Sequence, residues 1–445
     1  MDFEKLFSLL SESRYSEFIN EIDSMNAIDA AEFLAAVDSR ELLKVFRLLK
    51  KDAAAEIFAE LDPSLQESII SSITDIEITK LIEELYIDDT IDLLEELPAN
   101  VVNRIIRLST PETRSEINRF LKYPSDSAGS VMTSEFLSIY DTMTVTEASE
   151  RIRLTGYEKE TIYVIYVTDK SRVLKGTVSL RDLIFSGKDE LIGDVMETSV
   201  KSATTLDDKE TVANLISKYD LLALPIVDTE NRLVGIVTVD DALDVIEEEA
   251  TEDIEIMAAI SPTDKPYIKT GVFETFGKRI PWLLLLLISA TFTGSIITYY
   301  EEALGAMVVL TAFIPMLMDS GGNAGAQASV TIIRGLSLDE IRMGDILRIL
   351  WKEFRVSLLC GLTLTAVVFL KALYIDRVSV EIALVVALTL LATVIIAKLV
   401  GCSLPILAKR IGFDPAVMAS PFITTIVDAL SLLIYFRIAS LILKI

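Results

Sequence analysis

The stretch FIPMLMDSGGNAGAQAS, residues 313–329, places an aspartate, an asparagine, a glutamine, a proline and three glycines inside an apolar run. The run as a whole, about residues 305–333, exceeds the roughly 20 residues that a helix needs to cross a bilayer. A charge near the middle of such a span, here Asp319, costs about 2.5–3.5 kcal/mol on insertion scales. The stretch therefore predicts a membrane helix whose polar face lines a protein interior or a water-filled path.

The other polar residues of this span also favour a conduit wall. Pro315 is expected to break the helix ladder and free a carbonyl group, which is tolerated only against protein or water. Asn323 and Gln327 lie four residues apart on one face and offer carbonyl oxygens. Tight helix packing with hydrogen bonds is the alternative, and it fits the glycines and Gln327 even beside a pore.

Four further segments reach spanning length, at about residues 281–300, 355–375, 380–408 and 416–443. The connections before the first span and after the second and fourth are basic, so the positive-inside rule predicts a cytosolic N-terminus and an outside C-terminus. The N-terminal MDFEKLFSLLSESRYSEF has no apolar core of a signal peptide, which agrees. We therefore expect residues 269–445 to form an α-helical domain with five spans.

The fifth span carries a second deep carboxylate, in MASPFITTIVDALSLLIYF. Asp428 lies near mid-membrane and Thr424 lies one turn before it on the same face. Two deep carboxylates suggest a cation path, since Lys398 is the nearest basic candidate partner and can snorkel. A two-fold dimer would bring two copies of Asp428 to one axis. The alternative is a proton-relay carboxylate in a coupled transporter.

Composition divides the chain into a soluble half and a membrane half. Of 445 residues, 51% are hydrophobic and 24% are charged, and the formal net charge is −26. Residues 269–445 hold 15 Lys or Arg and 12 Asp or Glu, so the first 268 residues hold 26 and 55 and carry a net charge of −29. Such an acidic half attracts cations and argues against nucleic acid as a partner.

The chain has no histidine and two cysteines, Cys360 and Cys402, both within apolar segments. This set excludes a disulfide framework and a soft-metal site. Any metal must therefore bind to oxygen atoms, which favours a hard ion such as Mg²⁺, Ca²⁺ or Mn²⁺.

Residues 1–123 show helical spacing with little glycine or proline. Similar phrases recur as AAEFLAAVD at 30–38, AAEIFAELD at 54–62 and TIDLLEELP at 90–98. We interpret them as a loose helical repeat, and so predict an all-α superhelical domain. A plain helical bundle is the alternative.

Residues 124–248 alternate β-rich runs with amphipathic stretches, and two units repeat. One contains YVIYVTDKSRVLKGTVSLRDLI and the other ALPIVDTENRLVGIVTVDDAL, each a strand, a turn, a strand and a helix. This pattern resembles a tandem pair of α/β CBS domains, which we place at 124–193 and 194–243.

Each CBS-like unit opens its last helix with a Ser/Thr-x-x-Asp step, at Ser179 to Asp182 and at Thr238 to Asp241. In CBS domains this step can hold the ribose and phosphate of an adenine nucleotide, because the Asp accepts from ribose hydroxyls and the helix N-terminus favours phosphate. Arg181 would add positive charge. The same arrangement is also a common helix cap, so both interpretations remain open.

The segment DDALDVIEEEATEDIEI, residues 240–256, contains nine acidic residues and no basic one. Like charges at i,i+4, such as Asp240 and Asp244, destabilise a helix by a few tenths of a kcal/mol per pair. The segment leads directly into the first span, so a helix here that divalent cations neutralise would act as a sensor beside a gate. A solvated acidic face or a flexible tail is the alternative.

The order of acidic helical domain, CBS pair, acidic connecting helix and five spans resembles the MgtE family of magnesium channels and transporters. The stretches that carry the resemblance are PMLMDSGGNAGAQ, ATED at 250–253, VTVDDALDVIEEEATED and DPAVMASPFITTIVD. The resemblance implies a plasma-membrane homodimer, not an enzyme, with a Mg²⁺ pore between subunits. It also implies that cytosolic Mg²⁺ locks the connecting "plug" helix, residues 244–268, and closes the pore. The alternative function is a proton-coupled transporter of Mg²⁺, Mn²⁺ or Co²⁺ with nucleotide-sensing CBS domains.

The resemblance also assigns metal-binding residues. Asp428 matches the pore aspartate, and Asp414 matches a carboxylate near the cytosolic mouth, although Asp414 followed by Pro415 also fits a helix cap. Leu221 stands where related chains carry an aromatic ring for adenine, which argues against ATP. The carboxylates matched to cation sensing are Asp241, Asp244, Glu249, Glu252 and Asp253 near the connecting helix, Asp220 in the CBS pair, and Glu56, Asp88 and Asp92 in the helical domain.

Overall fold

The computed structural model describes residues 3–263, 267–268, 270–301, 305, 307–338 and 340–444. The chain divides into two compact units, Met1–Ile246 and Glu247–Ile445. The predicted connecting helix, residues 244–268, is helical as far as Met257, and its residues 264–266 lie outside the described part.

The first unit begins with a run of short helices that end in extended or turn residues. The bounds are α1 (Glu4–Ser11), α2 (Tyr15–Ile22), α3 (Ala27–Ala36), α4 (Ser39–Phe46), α5 (Lys51–Ala59), α6 (Pro63–Ser72), α7 (Asp75–Ile82), α8 (Ile87–Glu96), α9 (Ala99–Leu108) and α10 (Pro111–Phe120).

These helices pack in two rows. Helices α3, α5, α7 and α9 contact one another in succession, and α4, α6, α8 and α10 do the same. The recurring phrases explain the rows, because each buries two consecutive apolar residues at the same position of the phrase, such as Ile57 and Phe58 or Leu93 and Leu94. The predicted superhelical repeat is therefore confirmed over the plain bundle.

Two small sheets with the same topology follow. The elements are β1 (Ser138–Tyr140), α11 (Val145–Thr155), β2 (Val164–Thr168), β3 (Leu174–Ser179), α12 (Leu180–Phe185), α13 (Ile192–Val195), β4 (Ala203–Thr204), α14 (Lys209–Tyr219), β5 (Ala223–Val227), β6 (Leu233–Thr238) and α15 (Val239–Met257). In each sheet a parallel pair is followed by an antiparallel pair, with a register shift near the same end. The duplicated topology confirms the predicted α/β pair.

The second unit is helical. Its bounds are α16 (Val272–Tyr299), α17 (Ile314–Ser337), α18 (Ile346–Tyr374), α19 (Val380–Arg410) and α20 (Ser420–Leu443), with 3-10 turns at Val308–Phe313, Met343–Asp345 and Pro415–Met418. Among the described residues, four helices are long and apolar enough to cross a membrane: Val272–Tyr299, Met343–Tyr374, Val380–Arg410 and Pro415–Leu443.

The predicted second span corresponds to α17, which is absent from those four because its polar stretch lowers its hydropathy. It has 24 residues, about 36 Å of helix, and it packs against both α19 and α20. One expectation for it was wrong: Pro315 does not break the helix, because α17 starts at Ile314 and proline at the first turn removes no intrahelical hydrogen bond.

Glycines allow α17 to approach its neighbours closely. A Cβ on Gly321 would lie 2.5 Å from Thr393 Cγ2, and one on Gly322 would lie 2.9 Å from Thr424 Cγ2. On α19, a Cβ on Gly401 would collide with the carbonyl group of Gly325. The packing role suggested for the glycines is thus confirmed.

We expect Gly401→Ala to destabilise the membrane unit, since the added methyl meets backbone that cannot move aside, and overpacking costs about 1–3 kcal/mol. Gly294→Ala on α16 is the matched control, because nothing lies within 4 Å of its Cβ position. Thermal unfolding in detergent measures both. Equal midpoints for the two variants would contradict the close contact.

Candidate functional site

One face of α17 carries the predicted pore residues. Pro315, Asp319, Asn323 and Gln327 follow each other at intervals of four, and all four are exposed on the single chain. We call Asp319, Asn323 and Gln327 the polar stripe. The opposite face, with the packed glycines, is buried. Because hydrocarbon cannot solvate such groups, the polar stripe requires a protein or water cover.

The second predicted pore element, on α20, lies beside this face. Thr424 and Asp428 are half-buried, and the Thr424 hydroxyl donates to the Pro421 carbonyl at 3.0 Å. The contact of Gly322 with Thr424 holds the two helices together, and the charge of Asp319 acts on Asp428. The structure therefore brings the deep carboxylates of two different spans together.

A cavity of about 510 Å³ opens between α17, α18 and α19. The polar stripe forms one wall, and Thr363 and Lys398 contribute to the others. Lys398 is 6% exposed, and its Nζ lies 3.9 Å from Glu353 Oε2 on α18. The ion-pair partner of Lys398 is thus Glu353. This interhelical pair replaces the expectation that Lys398 is a candidate partner for the deep aspartates or snorkels to the surface.

Sequence reasoning missed Glu353 because it placed the start of the third span at residue 355. The helix begins at Ile346, so Glu353 lies inside it. The basic residues between Arg348 and Arg355 made the first turns of this helix look like a charged loop in the sequence. The ion pair joins two adjacent spans and neutralises both charges.

Lys398→Met alone should destabilise the chain by up to about 3–5 kcal/mol, the loss for a fully buried pair, because it leaves the half-buried Glu353 without a counter-charge. The double variant Lys398→Met/Glu353→Gln should regain most of that loss. Thermal unfolding in detergent, compared across the two singles and the double, gives the coupling energy. If the double variant loses as much stability as the two single variants lose together, the two side chains do not stabilise each other and the ion pair is ruled out.

The end of α15 docks inside the second unit. Ile256 and Met257 pack around Ile333, Ala416 and Ala419, at the end of α17 and the turn before α20. This apolar contact fixes the last turn of the connecting helix against two of the membrane helices.

Polar groups surround this contact. The Ser337 hydroxyl donates to Asp253 Oδ2 at 3.1 Å. Burial raises the pKa of the Asp253 carboxyl, and Asp414 raises it further while Arg334 opposes the shift. Asp414 Oδ1 accepts from the Ala416 N–H at 2.7 Å, so it does cap its turn as the alternative interpretation held. Asp253, a predicted sensor carboxylate, and Asp414, the predicted mouth carboxylate, are thus neighbours.

The first unit gathers a larger set of carboxylates, the acidic cluster, between α8 and the CBS pair. Its central members are Asp88, Asp89, Glu160 and Asp241. Asp88 is 8% exposed, and burial raises its pKa well above the usual range, helped by Asp89 and Asp241. Burial also raises the pKa of Asp89 and of Glu160 to about 7, with Asp241 adding to both shifts, and it raises that of Asp241.

Other predicted residues lie around or apart from the acidic cluster. Burial raises the pKa of Glu60, and the charge of Asp244 adds to that shift. The charges of Glu56 and Asp88 both act on the Tyr86 hydroxyl. Asp220 instead ends α14 in the left-handed conformation, with φ 51°. Of the remaining predicted residues, Asp92 and Glu252 are exposed and Glu249 is half-buried.

Asp89, Glu160 and Glu60 were missed by sequence reasoning. Asp89 follows Asp88 directly, which was a signal, whereas Glu160 lies in a loop whose position only the fold reveals. Within the described residues, no three acidic or cysteine side chains are grouped so that they could hold one metal ion. The acidic cluster is therefore an array of mutually repelling charges in this arrangement.

Glu160→Gln should raise the melting temperature of the metal-free protein at pH 8, since it removes a buried charge. The raised pKa means that stability is greatest at low pH and falls as pH rises through about 7. Melts in EDTA at pH 6 and pH 8 should show a smaller decline for the variant than for wild type. Glu67→Gln, an exposed acid of α6, is the control, and an unchanged pH slope in Glu160→Gln would contradict the cluster.

The two Ser/Thr-x-x-Asp steps form helix caps. Ser179 and Asp182 make a complete capping box at α12, and the Thr238 hydroxyl donates to Asp241 Oδ2 at 2.5 Å. Arg181 is exposed. The capping interpretation is thus confirmed, and the hydroxyl and carboxylate groups are paired with each other.

Comparison with known proteins gives matches to the helical domain, to the CBS pair and to four of the helices of the second unit. A family model described as a divalent cation transporter matches residues 314–438, one described as the MgtE intracellular N domain matches 25–126, and CBS domains match 128–188 and 192–248. The magnesium transporter MgtE of Thermus thermophilus is 39% identical over 90% of this chain and 89% of its own length. The chain belongs to the MgtE family of magnesium transporters. The MgtE of Bacillus subtilis is 34% identical over 98% of this chain and 96% of its own length.

Two solved structures support the fold of the MgtE soluble half. The soluble part of a magnesium transporter is 32% identical, with a TM-score of 0.54, over 56% of this chain and 98% of that one. The cytosolic domain of the Mg²⁺ channel MgtE, solved in complex with ATP, is 35% identical, with a TM-score of 0.51, over 54% and 98%. The predicted family and the prediction of a multi-pass transporter, not an enzyme, are confirmed.

Proposed function

We propose that this MgtE chain forms a Mg²⁺ channel that imports the ion across the plasma membrane through a pore between two subunits. The observation that carries the proposal is the exposed polar stripe of α17 beside Asp428. A helix face with a carboxylate and two amides costs several kcal/mol against lipid. A two-fold partner covers this face and places two copies of each group around a shared axis.

The chemistry of this face suits hydrated Mg²⁺. The ion gives up its waters reluctantly, and carboxylate and amide oxygens accept hydrogen bonds from that water shell. Asp428 supplies the main negative charge, while Asp319, Asn323, Gln327 and Thr424 line the approach. The polar groups that we assign to the path all offer oxygen atoms, which favour hard cations, and Mg²⁺ is the ion that the relatives transport.

Gating follows from the docked end of α15 and from the acidic cluster. Cytosolic Mg²⁺ bridges carboxylates such as Asp88, Asp241 and Asp253, which stabilises the arrangement with α15 docked on the pore helices. When Mg²⁺ leaves, like charges repel and the population shifts to an open state. The remaining sensor residues that we assign are Glu56, Asp92, Asp220, Asp244, Glu249 and Glu252, and we assign Asp414 to the cytosolic mouth of the pore.

The same proposal sets the orientation. Basic residues cluster at the N-terminal end of α18 and the C-terminal end of α19, which the positive-inside rule places in the cytosol. The soluble domains and the N-terminus are then cytosolic, and the C-terminus is outside.

We assign adenine nucleotide binding to the CBS pair, because a 35% identical cytosolic domain was solved with ATP. Binding would require Ser179 and Thr238 to exchange their capping contacts for ribose and phosphate, with Arg181 adding charge. Leu221, which is half-buried against the core, offers no aromatic ring for stacking. We therefore expect weak ATP binding.

Mg²⁺ entry into proteoliposomes tests the function. We expect wild-type flux to follow the Mg²⁺ gradient, to need no pH gradient, and to fall steeply when Mg²⁺ is raised on the side of the soluble half. Asp428→Ala should abolish or strongly reduce flux while the dimer stays folded. Glu381→Gln, an exposed acid at the start of α19, is the control and should conduct normally. Wild-type flux in folded Asp428→Ala, or flux only with a pH gradient, would favour the coupled carrier.

A further inference from the structure

An apolar groove of about 620 Å³ lies between α18 and α19, away from the polar stripe. Its walls are apolar except for Ser403, whose hydroxyl donates to the Leu399 carbonyl at 2.7 Å. The lining residues are Leu347, Leu350, Trp351 and Phe354 on α18 and Ile396, Leu399, Val400 and Ser403 on α19. Its volume is within the range of sites that hold small ligands.

The groove is continuous with a lipid-facing surface. Beyond it, α18 exposes Val367 and Leu370, and a helix surface with such residues faces hydrocarbon. Within the groove, Leu347 is 77% exposed and Trp351 is 60% exposed. Tryptophan is enriched at the level of the headgroups, where its ring is half in lipid and half in water.

Two arginines border the groove along α18. Arg348 and Arg355 lie at i−3 and i+4 from Trp351, so they are its neighbours on the helix surface, and both are exposed. The Arg355 guanidinium lies 5.8 Å from the ring centroid of Trp351, which itself stacks on Phe354 with 5.7 Å between centroids. Positive charge thus borders the groove at the level of its aromatic residues.

Helix length places this end at the membrane surface. The span Met343–Tyr374 has 32 residues, about 48 Å of helix, against about 30 Å of hydrocarbon. Roughly the first ten residues must therefore lie in the headgroup region or beyond. The Lys398–Glu353 ion pair ties the same two helices together and so fixes the width of the groove.

We propose that this groove binds an anionic phospholipid of the cytosolic leaflet, with an acyl chain against the apolar walls and the phosphate beside Arg348 and Arg355. The assignment of the leaflet rests on the proposed orientation of the channel. An apolar slot bordered by cations matches the two ends of this ligand. A lipid without net charge would not neutralise these basic residues.

The two tryptophans of the chain, Trp282 and Trp351, make the site measurable. Trp282→Phe leaves Trp351 as the only reporter and keeps an aromatic ring against Phe422, which Trp282 contacts at 6.5 Å. In reconstituted full-length protein, we would compare fluorescence quenching by phosphatidylglycerol with brominated chains and by brominated phosphatidylcholine. Because each basic residue contributes about 1 kcal/mol near anionic lipid, roughly fivefold, we expect a several-fold preference for phosphatidylglycerol at Trp351.

Arg348→Gln/Arg355→Gln in the same background should remove most of that preference, and Lys352→Gln, an exposed base on the side of α18 away from the groove, should keep it. Ser403→Leu fills the groove with the charges intact and should lower quenching by both lipids. The Trp351→Phe protein, with Trp282 as reporter, should not respond to Arg348→Gln/Arg355→Gln. Equal quenching by the two lipids in the wild-type groove, or an unchanged preference in Arg348→Gln/Arg355→Gln, would overturn the proposal. Lipid contact is read without ion flux, so a failure here is distinct from a failure of the channel assignment.

Discussion

The close contact between Gly325 on α17 and Gly401 on α19 is the constraint on which the membrane unit depends. α17 is too polar for its hydrophobicity alone to hold it in the bilayer, so it must gain its stability from packing against other helices. Glycines on one face bring it against α19 and α20, and this leaves the polar stripe on the other face. The same residues that make the helix a poor lipid span thus make it a good wall for a hydrated ion.

Uncompensated charge is the corresponding constraint in the soluble unit. The fold holds Asp88, Asp89, Glu160 and Asp241 close together and partly out of water, which is why their pKa values rise. A structure that brings carboxylates together in this way is stabilised by whatever neutralises them. Protons and divalent cations therefore act in the same direction on this unit, and a divalent ion can also bridge two carboxylates.

Much of the architecture could be predicted from the sequence, because it depends on local patterns. The recurring helical phrases, the duplicated strand pairs and the apolar spans all appear within short windows. The boundaries of the spans were less predictable. The first and third helices start about nine residues earlier than their apolar runs, since charged residues continue a helix into the headgroup region.

The site was only partly predictable, for a different physical reason. Asp319 and Asp428 were recognised because each is a costly charge within its own span. The pairing of Lys398 with Glu353 was not, because it depends on the register of two helices 45 positions apart in the chain. Glu160 was missed likewise, since it lies in the first CBS unit whereas Asp241, whose charge acts on it, lies in the second.

The Lys398–Glu353 pair also bears on how the protein enters the membrane. Inserted alone, α19 would carry the unpaired charge of Lys398 into hydrocarbon, at about 2.5–3.5 kcal/mol for a residue near the centre of a helix, and α18 would carry that of Glu353 to the hydrocarbon edge. The helices are consecutive and are joined by the short connection 375–379. Entering together as a helical hairpin, they neutralise each other before they leave the insertion machinery. The pair thereby makes these two spans a single unit of biogenesis, to which the more polar α17 can then be added.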